Sequence, residues 1–326
     1  MATSTDPSTP TRVLMIGAGG QLGTELAPAL ARQVGDENVV LSDLRSLDTP
    51  YQSLELDVLD ADALEHTIST YGITQIYHLA AILSAKGEQN PKRAWHINMD
   101  GLMNVLDLAV KHRLDKVYWP SSIAVFGPMT PKTATQYCER DPETIYGITK
   151  QAGERLCAWY QKTHGLDVRS LRYPGLISWK ASAGGGTTDY AVEVFEYLKR
   201  GEAYTCFLRP DSALPMMYMP DAIRATLDLM NAPRESLSVK GAYNVGALSF
   251  SPEELFGVIR AQAPELETNY DPDYRQAIAD TWPDAIDDQQ ARTDWGWQPH
   301  YNLHKMVSDI LANLFPRRVV KTTENV

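Results

Sequence analysis

Short apolar runs alternate along the chain with longer stretches in which apolar residues recur every three or four positions. Val13–Ile16, Val39–Leu41, Leu54–Leu56, Ile76–Leu79, Val117–Trp119 and Val168–Leu171 read as strands buried on both faces. The stretches 21–33, 60–70, 91–112 and 145–163 read as the helices between them. Buried strands joined through helices require a parallel sheet with right-handed crossovers. The pattern therefore predicts an α/β fold, a Rossmann-type doubly wound parallel sheet over residues 12–180. Beyond it the periodicity loosens into Gly184-Gly185-Gly186, a helix near 189–200, short strands within 204–218 and a Trp- and Asp-rich segment at 282–297. These predict a smaller C-terminal α/β substrate lobe over 181–218 and 251–326. A helix from Met219 to Met230 and a strand at Ala242–Val245 return to the sheet, so that 219–250 belongs with the first domain. Residues 1–11, rich in Ser, Thr and Pro, have no periodicity and read as a disordered leader.

Composition narrows the partners. With 44% hydrophobic and 22% charged residues the chain has a globular balance, and 41 acidic against 30 basic residues leave a net charge of −11. No basic run exceeds Arg317-Arg318, which argues against nucleic acid and for a small-molecule substrate. No apolar run approaches the roughly 20 residues that span a bilayer. The start, Met1 to Thr11, lacks the charged and hydrophobic regions of a signal peptide, so a cytoplasmic location with no membrane partner is expected. Cys138, Cys157 and Cys206 are odd in number and have no Cys-x-x-Cys spacing. They read as reduced packing residues, with no metal site.

The first strand runs into Gly17-Ala18-Gly19-Gly20-Gln21-Leu22-Gly23 and then into a helix. Gly17 permits a tight turn, Gly20 lets the backbone approach a pyrophosphate, and Gly23 allows close helix packing, with the amides from Gln21 and Leu22 onward facing phosphate. Alone this is a flexible glycine turn. Asp43, ending the next strand, adds the acid that accepts from the adenosine ribose hydroxyls. It would repel a ribose phosphate, which favours NAD over NADP, although Arg45 stands two residues on; a turn or cap role for Asp43 is the plainer alternative.

Tyr146 and Lys150 lie four residues apart on a helix and so share a face. Ser121 and Ser122 follow the Val117–Trp119 strand, at the sheet edge where open α/β folds bind ligands. A free phenol titrates near ~10, so a tyrosine base needs positive charge beside it. Taken alone, a Tyr and a Lys at this spacing are most often an exposed pair; the glycine turn upstream changes that. These residues resemble the extended branch of the short-chain dehydrogenase/reductase superfamily over most of 12–300. The resemblance implies a Ser–Tyr–Lys triad on a dinucleotide-binding fold. It also makes Tyr77-His78-Leu79-Ala80-Ala81 a strand segment beside the cofactor, through Leu79, Ala80 and Ala81, and Asp57-Val58 an adenine contact. Trp95-His96-Ile97-Asn98 resembles the segment whose Asn supports the site, with a water-linked proton route behind Lys150. Tyr173 and Ile177 are carried over as cofactor contacts in the same way. In Ser121-Ser122-Ile123-Ala124-Val125-Phe126-Gly127, counting back from Gly127 selects Ser122 as the triad member, with Ser121 a close rival.

Nucleotide-sugar enzymes of this branch carry Arg-Tyr-x-Asn where this chain has Arg172-Tyr173-Pro174-Gly175. The segments 81–88, 173–178, 184–191 and 214–219, with Asp287-Asp288 and Asp294-Trp295-Gly296-Trp297, instead resemble the short-chain-type L-threonine 3-dehydrogenases. That resemblance implies NAD-dependent oxidation of L-threonine at its 3-hydroxyl to 2-amino-3-oxobutanoate. In it Tyr146 is the base, Ser122 holds the substrate oxygen, and Lys150 lowers the tyrosine pKa and holds the nicotinamide ribose. Ser84, Thr187 and Thr188 are then substrate contacts, the last two at a helix start suited to a carboxylate. A helix cap or a solvated loop would account for the same residues without a ligand. Gly184–Gly186 reads as the hinge of a closing lid or as a plain surface connection. A homodimer is expected through the helices at 91–112 and 145–163, with Leu102, Leu106, Ile148 and Trp159 available. Two other readings stand beside this one: a nucleotide-sugar epimerase or dehydratase, and a noncatalytic regulator that senses NAD.

Overall fold

Six parallel strands form the central sheet of this computed structural model, which describes residues 10–316. They are β1 (Val13–Ile16), β2 (Val39–Asp43), β3 (Gln52–Glu55), β4 (Gln75–His78), β5 (Lys116–Tyr118) and β6 (Val168–Arg169), in the order β3-β2-β1-β4-β5-β6. Every residue of β1 is at most 1% exposed, because both faces are covered. Val13 and Met15 pack with α1 (Gln21–Val34), while Leu14 and Ile16 pack with α2 (Ala61–Tyr71), α3 (Gly101–Lys111) and α4 (Ile145–His164). That alternation is the period of two that a strand imposes. The strand order reverses between β1 and β4, and a doubly wound sheet opens its ligand crevice at such a reversal.

The structure departs from the sequence pattern in several places. The run Val168–Leu171 is not one strand: it breaks at Ser170, and β7 (Leu171–Tyr173) leaves the central sheet to pair on one side with Ser121–Ser122 and on the other with Tyr243–Asn244. The helix expected over 91–112 is interrupted by a π-helical turn at His96–Asp100, the kind of local widening that turns side chains inward at functional sites. Leu102 and Leu106, expected on a pairing face, are fully buried against the sheet, whereas Ile148 and Trp159 are exposed. The leader falls almost entirely at residues 1–9, outside the described residues.

A second apolar cluster gathers α5 (Tyr190–Arg200), the strand Leu214–Tyr218 and the helices Pro252–Gln262 and Leu303–Leu314. α6 (Met219–Asn231) does not join it; Met219, Ala222, Ala225 and Leu229 pack with α1 and β1. Ala291 and Trp297 go the same way, so part of the Trp- and Asp-rich segment leaves the lobe to which its position assigned it. The indole of Trp297 donates to the Asp288 carboxylate at 2.9 Å and to the Gly246 carbonyl at 3.1 Å, which ties the segment down.

Candidate active site

A single cavity of about 250 Å³ runs from the end of β1 to the start of α5. Its first end is the glycine turn. Gly17 has φ +81°, and a Cβ there would stand 2.6 Å from the Ala80 amide nitrogen. A Cβ at Gly23 would stand 2.5 Å from the Ala18 carbonyl. Only glycine lets the turn lie this close to Ala80 and the helix this close to the turn. Gly20 caps α1 without a side-chain hydrogen bond and the first turn carries no acid, so the amides opening the helix face the cavity with the positive end of its dipole. Asp43 stands at the tip of β2, its carboxylate accepting from the amides of Gly19 at 3.0 Å and Leu44 at 2.8 Å.

The middle of the cavity holds Ser122, Tyr146 and Lys150. Thr144 caps α4 by accepting from the Gly147 amide at 3.0 Å, which fixes the turn bearing Tyr146. Lys150 Nζ donates to the Pro120 carbonyl at 2.6 Å and lies 5.5 Å from the Tyr146 ring centroid. Both side chains are almost fully buried. Burial pushes the Tyr146 phenol up to about 12, with the Ser122 hydroxyl pulling the other way. Burial pushes Lys150 down to about 7 against Cys157 and Glu154. The hydroxyl of Ser121, which also lines the cavity, is engaged by Glu154, to which it donates at 2.7 Å. Glu154, 2% exposed, also receives Arg172 Nε and Nη2 at 2.8 Å each and Arg140 Nη1 at 2.5 Å.

Thr187, Thr188, Asp189, Trp282 and Ser84 line the rest of the cavity. Ser84 is not in a solvated loop; it opens a short helix, Ser84–Gln89, and is 4% exposed. Thr187 is 1% exposed and its hydroxyl has no partner in the protein. The Asp189 carboxylate accepts from the amides of Gly185 at 2.7 Å and Gly186 at 2.6 Å, pinning the glycine loop.

The sequence profile of the NAD dependent epimerase/dehydratase family matches residues 13–246, a span holding the glycine turn, Ser122, Tyr146 and Lys150. The chain belongs to this family. The mitochondrial L-threonine 3-dehydrogenase of Bos taurus is 44% identical over 308 residues, which cover 92% of this chain and 82% of that protein. The solved L-threonine dehydrogenase from Cupriavidus necator, in its holo form, is 53% identical with a TM-score of 0.92, covering 93% of this chain and 99% of that one. A monomeric L-threonine 3-dehydrogenase from a metagenome database, in its apo form, is 48% identical with a TM-score of 0.90, covering 93% and 98%. The glycine turn fits NAD, the cofactor of the family: the backbone cradle, the uncapped helix start and the buried Gln21 amide nitrogen without a protein partner all await a polar ligand.

Of the residues singled out in the sequence, Gly17, Gly20, Gln21, Leu22, Gly23, Leu79, Ala81, Ser84, Ser121, Ser122, Tyr146, Lys150, Tyr173, Thr187 and Thr188 line this cavity. Ala80 lies directly behind Gly17. Asp57 is exposed and caps its own turn through the Leu59 amide, and Val58 is buried against Gly101. Ile177 is fully buried in the apolar cluster of the second lobe, next in the chain to Gly175 and Leu176, which line the cavity. Asn98 is buried, its side chain accepting from the Ile82 amide at 2.8 Å and donating to the Ile82 carbonyl and the Thr149 hydroxyl at 3.1 Å each, which ties the π-helical turn to the segment after β4 and to α4. The sequence reading missed Glu154, Asp189 and Trp282. A charge inside α4 reads as solvent-facing, and Trp282 is too far along the chain for any local signal.

The depressed Lys150 pKa has a stability consequence. Between about 7 and its ordinary 10.5 the folded state binds fewer protons than the unfolded one, so Lys150 makes stability rise with pH across that window. The slope should reach at most about 1.4 kcal/mol per pH unit. Urea midpoints of the NAD-free protein at pH 7 and 9 should therefore rise more for the wild type than for Lys150→Met; equal slopes would contradict it.

Proposed function

We propose that the protein oxidises the 3-hydroxyl of L-threonine with NAD, giving 2-amino-3-oxobutanoate and NADH. Gly175 carries this reading. A Cβ at that position would stand 2.7 Å from the Cβ and Cγ2 of Thr188 and 2.4 Å from the Met216 sulfur, so there is no room for the asparagine of nucleotide-sugar enzymes. The space is filled instead by the loop carrying Thr187 and Thr188, which narrows the end of the cavity to a small polar substrate. The unpartnered Thr187 hydroxyl and buried Ser84 suit an amino-acid carboxylate, and Asp189, the one acid on that wall, suits an ammonium group. The L-threonine dehydrogenases among the relatives support the same substrate.

Tyr146 is the general base. In the free protein burial keeps its phenol protonated, so its pKa must fall as the site fills. Bound NAD would supply the hydride acceptor at its nicotinamide and a positive charge beside the phenol. Tyr146 then takes the hydroxyl proton as the hydride leaves C3, and Ser122, whose hydroxyl is not tied up by Glu154, holds the same oxygen. Lys150 keeps two further donors for the ribose and the phenol after its bond to Pro120. Asp43 receives the adenosine ribose hydroxyls, which selects NAD over NADP.

Residues 12–180 with 219–250, joined by the 288–297 segment, form the cofactor half of this reading, and the α5-centred lobe forms the substrate half. Exposed Trp95, Met103, Ile148 and Trp159 support pairing of two copies, although the metagenomic relative is monomeric. No helix among the described residues is long and apolar enough to cross a membrane. Three free thiols suit the reducing cytoplasm.

The deciding assay mixes protein, NAD and L-threonine and follows NADH absorbance. NADH should accumulate with threonine and not with UDP-sugars. UDP-sugar turnover would establish the epimerase alternative, and NAD binding without turnover of either would establish the regulator.

A further inference from the structure

The strand that carries Ser122 is only two residues long, Ser121–Ser122, so its backbone bonds do little to decide which way each side chain points. It pairs with β7 so that Ser121 stands beside Arg172 and Ser122 beside Tyr173. Side chains at paired positions share a face, and neighbours along a strand take opposite faces. A slip of one residue would therefore exchange the two serines.

Side chains make the choice that the short backbone ladder leaves open. Glu154, buried on α4, gathers Ser121 and Arg172, the paired residues of one face. Its Oε1 accepts from the Ser121 hydroxyl at 2.7 Å and from Arg172 Nε at 2.8 Å, and its Oε2 from Arg172 Nη2 at 2.8 Å and Arg140 Nη1 at 2.5 Å. Four donors fill the acceptor sites of a carboxylate, so the group cannot turn without abandoning a buried partner. One helical turn earlier, Lys150 Nζ holds the Pro120 carbonyl at 2.6 Å. Residues 120 and 121 are thus tied to successive turns of the helix that bears Tyr146. The Ser122 hydroxyl accepts from the Ala124 amide at 3.2 Å, which leaves its hydrogen to be donated toward the groups that share the cavity. We propose that Ser121 and Glu154 are a positioning pair that fixes the register of the serine strand and so aims Ser122 at the oxygen undergoing oxidation. The hydroxyl of Ser121 acts through Ser122 and touches neither cofactor nor substrate.

This role rests on the reading of Ser122 as the holder of the threonine oxygen, and a double-mutant cycle in the full chain tests it. Ser121→Ala deletes the anchor but leaves Glu154 paired with both arginines, so the fold should survive. Its kcat with threonine should fall about tenfold, the scale of a small misplacement, with NAD affinity held within about twofold. Ser122→Ala should cost about a hundredfold. Adding Ser121→Ala to Ser122→Ala should cost no more than about a further twofold, because nothing is left to aim. Losses that multiply, an unchanged kcat in Ser121→Ala, or a matching fall in its NAD affinity would each overturn the role. If the wild type fails to oxidise threonine, the proposed activity is lost, and crystal structures still decide the pairing. Ser122 Oγ should hold one rotamer in the wild type and leave it in Ser121→Ala; an unmoved Ser122 would refute the pairing.

Discussion

Tyr146→Phe should lower kcat by about 10²–10⁴-fold, the range for loss of a positioned acid–base group, while NAD affinity stays within about twofold. The substitution removes one oxygen and keeps the ring that fills the cavity wall, so binding surface is nearly unchanged. The loss should fall on the transition state, because the missing group is the proposed proton acceptor. Steady-state kinetics with threonine, alongside NAD titration by fluorescence, separates the two quantities. An unchanged kcat would remove Tyr146 from the chemistry; an equal loss of NAD affinity would make it a binding residue.

Glu154→Ala should cost about 3–5 kcal/mol of folding stability, the usual penalty for stripping one partner from a buried ion pair. Arg172, 3% exposed, would keep only the Gln136 carbonyl at 3.0 Å and the Asn244 side chain at 2.9 Å for its charge. Ser121 would lose its acceptor at the same time. The measurement is the urea midpoint at constant m. Replacing the pair together, as Glu154→Leu with Arg172→Met, should recover most of the loss, because the buried charge is then gone rather than abandoned. A single variant within about 1 kcal/mol of wild type would mean that water reaches the cluster.

What was legible in the sequence is what local pattern decides. The bounds of β1 and the starts of α1 and α4 follow from where apolar periodicity changes from two to nearly four and from a glycine or threonine at the junction. The glycine turn carries its own steric logic, which the contacts of Gly17 and Gly23 make explicit. What escaped is what the tertiary structure decides. Ser170 sits in an apolar run, and nothing in its neighbours says that the chain changes sheets there. Ile177 follows Tyr173 by four residues, and only the packed lobe says that its side chain joins the second apolar cluster. The Asn98 side chain bonds to a backbone segment 16 residues away and to Thr149 on α4, from a π-helical turn that no spacing announces. Glu154 reads as a surface charge until three partners are seen to converge on it.

The break at Ser170 bears on the order in which the molecule becomes whole. Ser121–Ser122 is held by β7, and β7 is held in turn by Tyr243–Asn244, so the strand that presents the serine depends on chain synthesised some 120 residues later. The strand that leads into the glycine cradle, by contrast, has both its partners in place by the end of β4. As the chain emerges from the ribosome, then, the dinucleotide cradle has all its backbone partners long before the serine strand has its own, and the protein gains a place for its cofactor before it gains a reaction to perform.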